Sequence, residues 1–113
     1  MKINSYRFGE IVIDGKEYTS DVIIFKDSVK ANWWRAEGHS LCIDDLKEVF
    51  KKKPEMLIVG TGKMGVMDVP QNVVDYVTNQ GIKIMICMTD EACERFNEMI
   101  KEYNVVAALH LTC

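Results

Sequence analysis

The sequence predicts a single α/β domain across residues 1–113, with a sheet buried on both faces by helices and an amino-terminal β-hairpin. Three observations lead there. Asp14-Gly15 stands between two β-forming runs; Met56–Val59, Ile82–Met88 and Val105–Leu111 are nearly continuous apolar runs; and helical patterns separate those three runs. Apolar strands alternating with helices of about ten to fifteen residues mark a sheet covered on both faces. The length of 113 residues suits one domain. A chain of that size buries roughly two-thirds of its unfolded surface, enough for one real core.

Taken in order, Tyr6, Phe8 and Glu10 alternate with Arg7 and Gly9, and the run continues through Ile11–Ile13 to Asp14-Gly15. Asp-Gly favours a type I′ turn, which needs positive φ at both central residues, so a return strand follows over Lys16–Thr19. Asp21–Phe25 is an apolar strand, Lys26-Asp27-Ser28 the next turn, and Val29–Trp34 a strand ending in two tryptophans. The period then changes, because Ile43, Leu46, Val49 and Phe50 fall on one helical stripe. Ser40 or Cys42 stands near its N-cap, Asp44 and Asp45 lie in its first turn and Lys51–Lys53 in its last, as the helix dipole favours. Pro54 ends it. Met56–Val59 is a strand closed by Gly60. Pro70 at the first helical position, with Val73, Val74 and Val77, predicts a second helix stopped at Gly81. Ile82–Met88 is a strand, after which Thr89 caps a third helix bearing Ala92, Phe96, Met99, Ile100 and Tyr103 on one face. Val105–Leu111 closes the order as a strand.

Fourteen basic residues against seventeen acidic ones give a net charge of −3, which argues against a dedicated nucleic-acid binder. No stretch approaches the roughly 18 consecutive apolar residues of a membrane span. Met1–Glu10 carries charges where a signal peptide needs an apolar run. Cys42, Cys87, Cys93 and Cys113 form no CxxC pair and read as reduced thiols of a cytoplasmic protein.

Gly60-Thr61-Gly62-Lys63-Met64-Gly65 spells G-x-G-x-x-G directly after a strand. In a dinucleotide site the helix opens at the third glycine. Here Val66-Met67-Asp68-Val69 intervenes, so the run reads as a tight loop whose glycines supply positive φ, with its free N–H groups a candidate anion contact. Met64 stands where a Walker loop needs Ser or Thr.

Ligands of parallel α/β units gather where strands end and the next helices begin. If the three late strands are parallel, that edge holds Gly60, Thr61 and Gly62, Thr89 with Asp90, and His110 to Cys113; an antiparallel last strand removes His110 and Cys113. If Val29–Trp34 runs the same way, Arg35 and His39 arrive there too. Arg35 is suited to a bidentate carboxylate or phosphate contact, and either histidine to proton transfer near neutrality. The competing reading has Arg35 and His39 tying the loop Trp34–Leu41 to backbone carbonyls. Cys113 beside His110 suggests a thiolate–imidazole pair, but the terminal carboxylate disfavours the thiolate. No metal-ligand spacing, paired carboxylates or Ser-His-Asp set stands out, and no catalytic residue or cofactor is assigned. Trp33 and Trp34 direct one ring to each face, one into the core and the other toward a partner.

Taken together, Trp33-Trp34-Arg35 with Gly38-His39, the run Leu57–Gly62, Val69-Pro70 with Val74, Tyr76 and Gly81-Ile82, Thr89–Ala92 with Phe96-Asn97, and His110–Cys113 resemble the Mth938 domain family from about Phe8 onward. The resemblance implies a three-layer Mth938-like fold, a mixed central sheet with flanking helices and an amino-terminal β-hairpin extension, and no established enzymatic activity. Eukaryotic relatives include a complex I assembly factor of mitochondria and a cytoplasmic protein linked to adipogenesis, both acting through protein contacts. The expectation is therefore a non-enzymatic interaction or assembly domain in the cytoplasm. Its partner would be a protein, contacted through Trp33 or Trp34, with weak self-association possible. The alternative is a binding domain or minor enzyme for a small anionic ligand, using Arg35, His39, Gly60, Thr61, Gly62, Thr89 and His110.

Overall fold

Three positive-φ residues shape the amino-terminal segment of the computed structural model, which describes residues 1–113. Asp14 (φ 50°) and Gly15 (φ 80°) make the expected turn, and Gly9 (φ 77°) makes another ahead of it. The segment is thus a meander of β1 (Ile3–Arg7), β2 (Glu10–Ile13) and β3 (Lys16–Tyr18), paired antiparallel in that order. The hairpin is present with one more strand in front of it. The alternation at Tyr6–Glu10 hid the break, because a glycine fits a strand pattern and a turn equally well.

The second sheet has five strands: β4 (Val22–Ile24), β5 (Val29–Lys30), β6 (Met56–Gly60), β7 (Lys83–Cys87) and β8 (Val105–Leu109). Their order is β5-β4-β8-β6-β7. β6 is parallel to both β7 and β8, while β4 is antiparallel to β8 and to β5. β5 stops four residues short of the expected end, since Asn32 (φ 56°) turns the chain before the tryptophans. β8 likewise ends at Leu109, two residues before Leu111.

A 3-10 turn (Ile43–Leu46) leads into α1 (Lys47–Lys52); α2 (Gln71–Asn79) and α3 (Thr89–Met99) complete the set. Cys42 is the N-cap of the first, and its N–H donates to the Asp45 carboxylate at 2.8 Å. Pro70 stands at the N-cap of α2 rather than inside it. Thr89 lies inside α3, where Met88 takes the cap position, and its hydroxyl serves elsewhere.

Strand alternation divides the core between the two faces of the five-stranded sheet. Met56, Ile58, Val105, Ala107 and Leu109 pack with Ala92 and Phe96 of α3 and with Ile11 and Ile13 of the meander. Leu57, Val59, Val106 and Ala108 face Val49 of α1, Val73 and Val77 of α2, and Trp33. The result is the three-layer arrangement that apolar runs on β6 and β8 demand. No helix is long and apolar enough to cross a membrane.

Candidate functional site

β6 and β8 end at one edge of the sheet, and antiparallel β4 begins there. β5 runs antiparallel to β4, so the chain leaving it also travels toward that edge. Four segments therefore deliver polar groups to one place: Asp21 before β4, Arg35 beyond β5, the Gly60–Gly62 loop after β6, and His110 after β8.

Asp21 is the centre of the cluster. Its Oδ2 lies 2.8 Å from Nδ1 of His110 and 2.8 Å from Nη1 of Arg35, while Oδ1 accepts the Leu111 N–H at 2.7 Å. Burial by itself raises the Asp21 pKa, but the hydrogen bonds from His110, Leu111 and Arg35 outweigh it and hold the carboxyl below the usual range. An ionised Asp21 can only accept and a guanidinium can only donate, so the Nδ1 of His110, 2.8 Å from Asp21 and 3.1 Å from Nη2 of Arg35, stands between an acceptor and a donor. The Nε2 of His110 faces the Thr112 hydroxyl at 3.5 Å.

The Arg35 side chain is only 6% exposed. Its Nη2 donates to the Gly38 carbonyl at 3.1 Å, and the guanidinium lies over the Trp33 ring at 4.8 Å. Its positive charge is thus paired with Asp21, Nη2 ties its own loop and Nε is buried without a hydrogen-bond partner, so the backbone-tying role applies to Arg35. His39 is exposed and meets His110 edge-on, with ring centres 6.0 Å apart; its carbonyl accepts the Asp68 N–H.

The glycine loop is built into the fold. The Thr61 N–H donates to Cys87, the Gly62 N–H to the Thr89 hydroxyl, the Lys63 N–H to Thr112 and the Val66 N–H to Cys113. Those donors are therefore turned inward and not toward a ligand. Gly60 and Gly62 are required for close approach: a Cβ on Gly60 would stand 2.8 Å from Leu109 Cδ2, and one on Gly62 2.3 Å from the Cys113 carbonyl carbon. Thr89, fully buried, accepts from Gly62 at 2.9 Å and donates to the His110 carbonyl at 2.7 Å, fastening loop and tail together.

Trp33 and Trp34 part company as expected, although they lie beyond the strand. Trp33 is 3% exposed and its Nε1–H donates to the Asp45 carbonyl at 3.0 Å, whereas Trp34 is 82% exposed. Trp34 stands over a cleft of about 470 Å³ bordered by Ser20, Asn32, Gly38 and Thr112, with Asp21 and His110 at its floor. A larger depression of about 570 Å³ lies around Lys26, Glu55 and Lys101, with no such buried charge cluster. Sequence reasoning missed Asp21. The signal was a carboxylate flush against an apolar strand, and only the antiparallel sense of β4 carries it to the site.

This two-sheet architecture, with its tail woven through the glycine loop, is that of a Mth938-like α/β domain. Residues 3–110 match the family described as a protein of unknown function, DUF498/DUF598, and the chain belongs to that family. It is similar to the conserved hypothetical protein PH1505 of Pyrococcus horikoshii OT3, at 26% identity and a TM-score of 0.88 over 100% of both chains. It is also similar to a solved protein described as MT938, at 27% identity and 0.82 over 99% of this chain and 98% of that one. A Bordetella pertussis protein described as a Mth938-like domain shares the fold at 16% identity and a TM-score of 0.77, over 97% of this chain and 85% of that one.

Proposed function

We propose that this chain is a non-enzymatic protein-interaction domain that docks a segment of a partner protein in the cleft beside Trp34. One observation carries this reading: an indole 82% exposed, next in sequence to a buried one, on a loop held by Arg35. Tryptophans of that kind dominate interface hot spots, because they bury a large apolar area at little entropic cost. The cleft is formally neutral when Asp21 and Arg35 are paired, which suits the polar backbone of an extended peptide better than an anion. A cytoplasmic setting and an assembly role belong to the same proposal. Four free thiols, three of them with raised pKa values, are consistent with a reducing compartment.

The test is affinity capture from the native host with wild type and Trp34→Ala side by side, both checked by thermal melts. A defined partner lost only with folded Trp34→Ala supports the reading. A partner retained by the variant, or none captured by either protein, refutes it.

A second reading rests on the buried Asp21–His110 pair, which lines the cleft. A volume near 470 Å³ lies within the roughly 300–1,000 Å³ of small-molecule sites. In this reading the cleft takes a small polar molecule that hydrogen-bonds His110, since the Arg35 charge is paired with Asp21. A metabolite melt screen decides it, because a ligand at 100 times its dissociation constant adds about 2.7 kcal/mol. A hit must vanish in His110→Gln to support this reading.

A further inference from the structure

Each sheet edge in this molecule is guarded except one. At β1, the Asn97 side chain completes the hydrogen bonding of Ile3, accepting its N–H at 2.9 Å and donating to its carbonyl at 2.8 Å. β3 is three residues long and begins Lys16-Glu17. β5 is two residues long, ends where Asn32 turns away, and pairs its Lys30 with Glu48. Short length, charge and side-chain cover are the usual devices that stop a strand from recruiting another.

β7 carries a single charge, Lys83 at its start, and neither of the other two devices. It pairs with β6 alone, at the end of the sheet. The Lys83 N–H donates to Glu55 and the Cys87 carbonyl accepts from Thr61, so these residues turn their backbone groups inward. Strand alternation then turns the N–H and C=O groups of Ile84 and Ile86 outward, to the open side. From Ile84 to Met88 the run has no charge, and Ile86 is 42% exposed.

We propose that β7 is a self-association edge, which pairs antiparallel with β7 of a second copy of this chain about a two-fold axis at Met85. The register is self-complementary. Ile84 lies opposite Ile86 of the second copy and exchanges both backbone hydrogen bonds with it, and Ile86 does the same with Ile84. Their side chains share a face, so each half-exposed Ile86 meets an isoleucine. On the other face Met85 meets Met85, and Lys83 meets Cys87 rather than a second lysine. No like charges oppose each other, as a closed isologous contact requires. The two five-stranded sheets become one continuous sheet. This edge is separate from the Trp34 cleft, and neither proposal depends on the other.

The test is sedimentation equilibrium of three proteins: wild type, Ile86→Lys, and Met85→Cys in a Cys113→Ser background. Ile86 is exposed and its N–H faces outward, so lysine there leaves the fold intact. Wild type is expected to dimerise, and Ile86→Lys to weaken the dimer at least about tenfold. Facing Cα atoms at the non-hydrogen-bonded Met85 pair lie about 4.5 Å apart, within disulfide range, so Met85→Cys is expected to cross-link on oxidation. A wild type that stays monomeric up to about 1 mM overturns the proposal. So does a dimer that Ile86→Lys leaves unchanged and Met85→Cys fails to link.

Discussion

Asp21 and His110, 89 positions apart in the chain, meet through a 2.8 Å hydrogen bond between Oδ2 and Nδ1. Arg35 shares the same carboxylate oxygen, and the three side chains form one buried unit under the Trp34 cleft. The unit holds together the start of β4, the loop beyond β5 and the tail beyond β8.

Removing the carboxylate charge leaves the other two members exposed to the full cost of their burial. The Asp21 side chain is only 15% exposed, and breaking a buried pair typically costs about 3–5 kcal/mol. Asp21→Asn is therefore expected to lower the unfolding free energy by about 3 kcal/mol in urea titration. A loss below about 0.5 kcal/mol, the usual range for surface changes, would mean that the cluster is solvated.

The same carboxylate gives the fold an acid sensitivity. Its pKa is depressed in the folded chain relative to about 3.9 when unfolded. Between those two values the unfolded chain binds a proton that the folded chain does not. Stability from Asp21 is thus complete above about pH 4 and is lost as the pH falls through the folded value. Urea unfolding from pH 6 to pH 2 is expected to show this component in wild type and not in Asp21→Asn, and a carboxyl NMR titration of Asp21 should give a midpoint below 3.9.

Gly62 and Gly15 both have positive φ, at 110° and 80°, but only Gly62 faces atoms where a Cβ would go. Gly15→Ala is expected to cost about 1 kcal/mol from backbone strain. Gly62→Ala must also displace the Cys113 backbone and is expected to cost about 3 kcal/mol or more. Equal losses in thermal melts would show that the tail yields freely to the loop.

Thr89→Val keeps the shape and removes the hydroxyl that bridges Gly62 and His110. Two buried backbone groups lose their partner, for an expected loss of about 2–3 kcal/mol. Thr78→Val is the control, because its hydroxyl only back-bonds to Val74 on an exposed helix face; its change should lie within about 0.5 kcal/mol. Similar values for the two would remove Thr89 from the site's framework.

What was legible in the sequence follows from how local each cause is. Leu57, Val59, Val106 and Ala108 are apolar because both faces of their strands are covered, and a continuous apolar run shows this directly. Trp33 and Trp34 separated correctly because consecutive residues of an extended chain point opposite ways, whether or not the strand is paired. Gly9 and Asn32 were illegible as breaks, since each sits where alternation permits a strand to continue. Thr89 follows a strand and precedes acidic residues, as an N-cap would, and only the nearness of Gly62 and His110 shows its other use. Arg35 and His110 could be placed at this edge of the sheet because each follows a strand. Asp21 precedes one, and the direction of β4 depends on its pairing with β8, which no local pattern encodes.

β8 is the last strand in sequence and the middle one in space, seated between β4 and β6. On the ribosome, β4 and β6 emerge with no strand to join them. The central seam waits for Val105–Leu109, and with it the Asp21–His110 contact. Closure of this sheet therefore waits for its last strand. Until it happens, the apolar strands β4 and β6 are unpaired along that seam, and this interval is when the nascent chain is most open to aggregation and to chaperones.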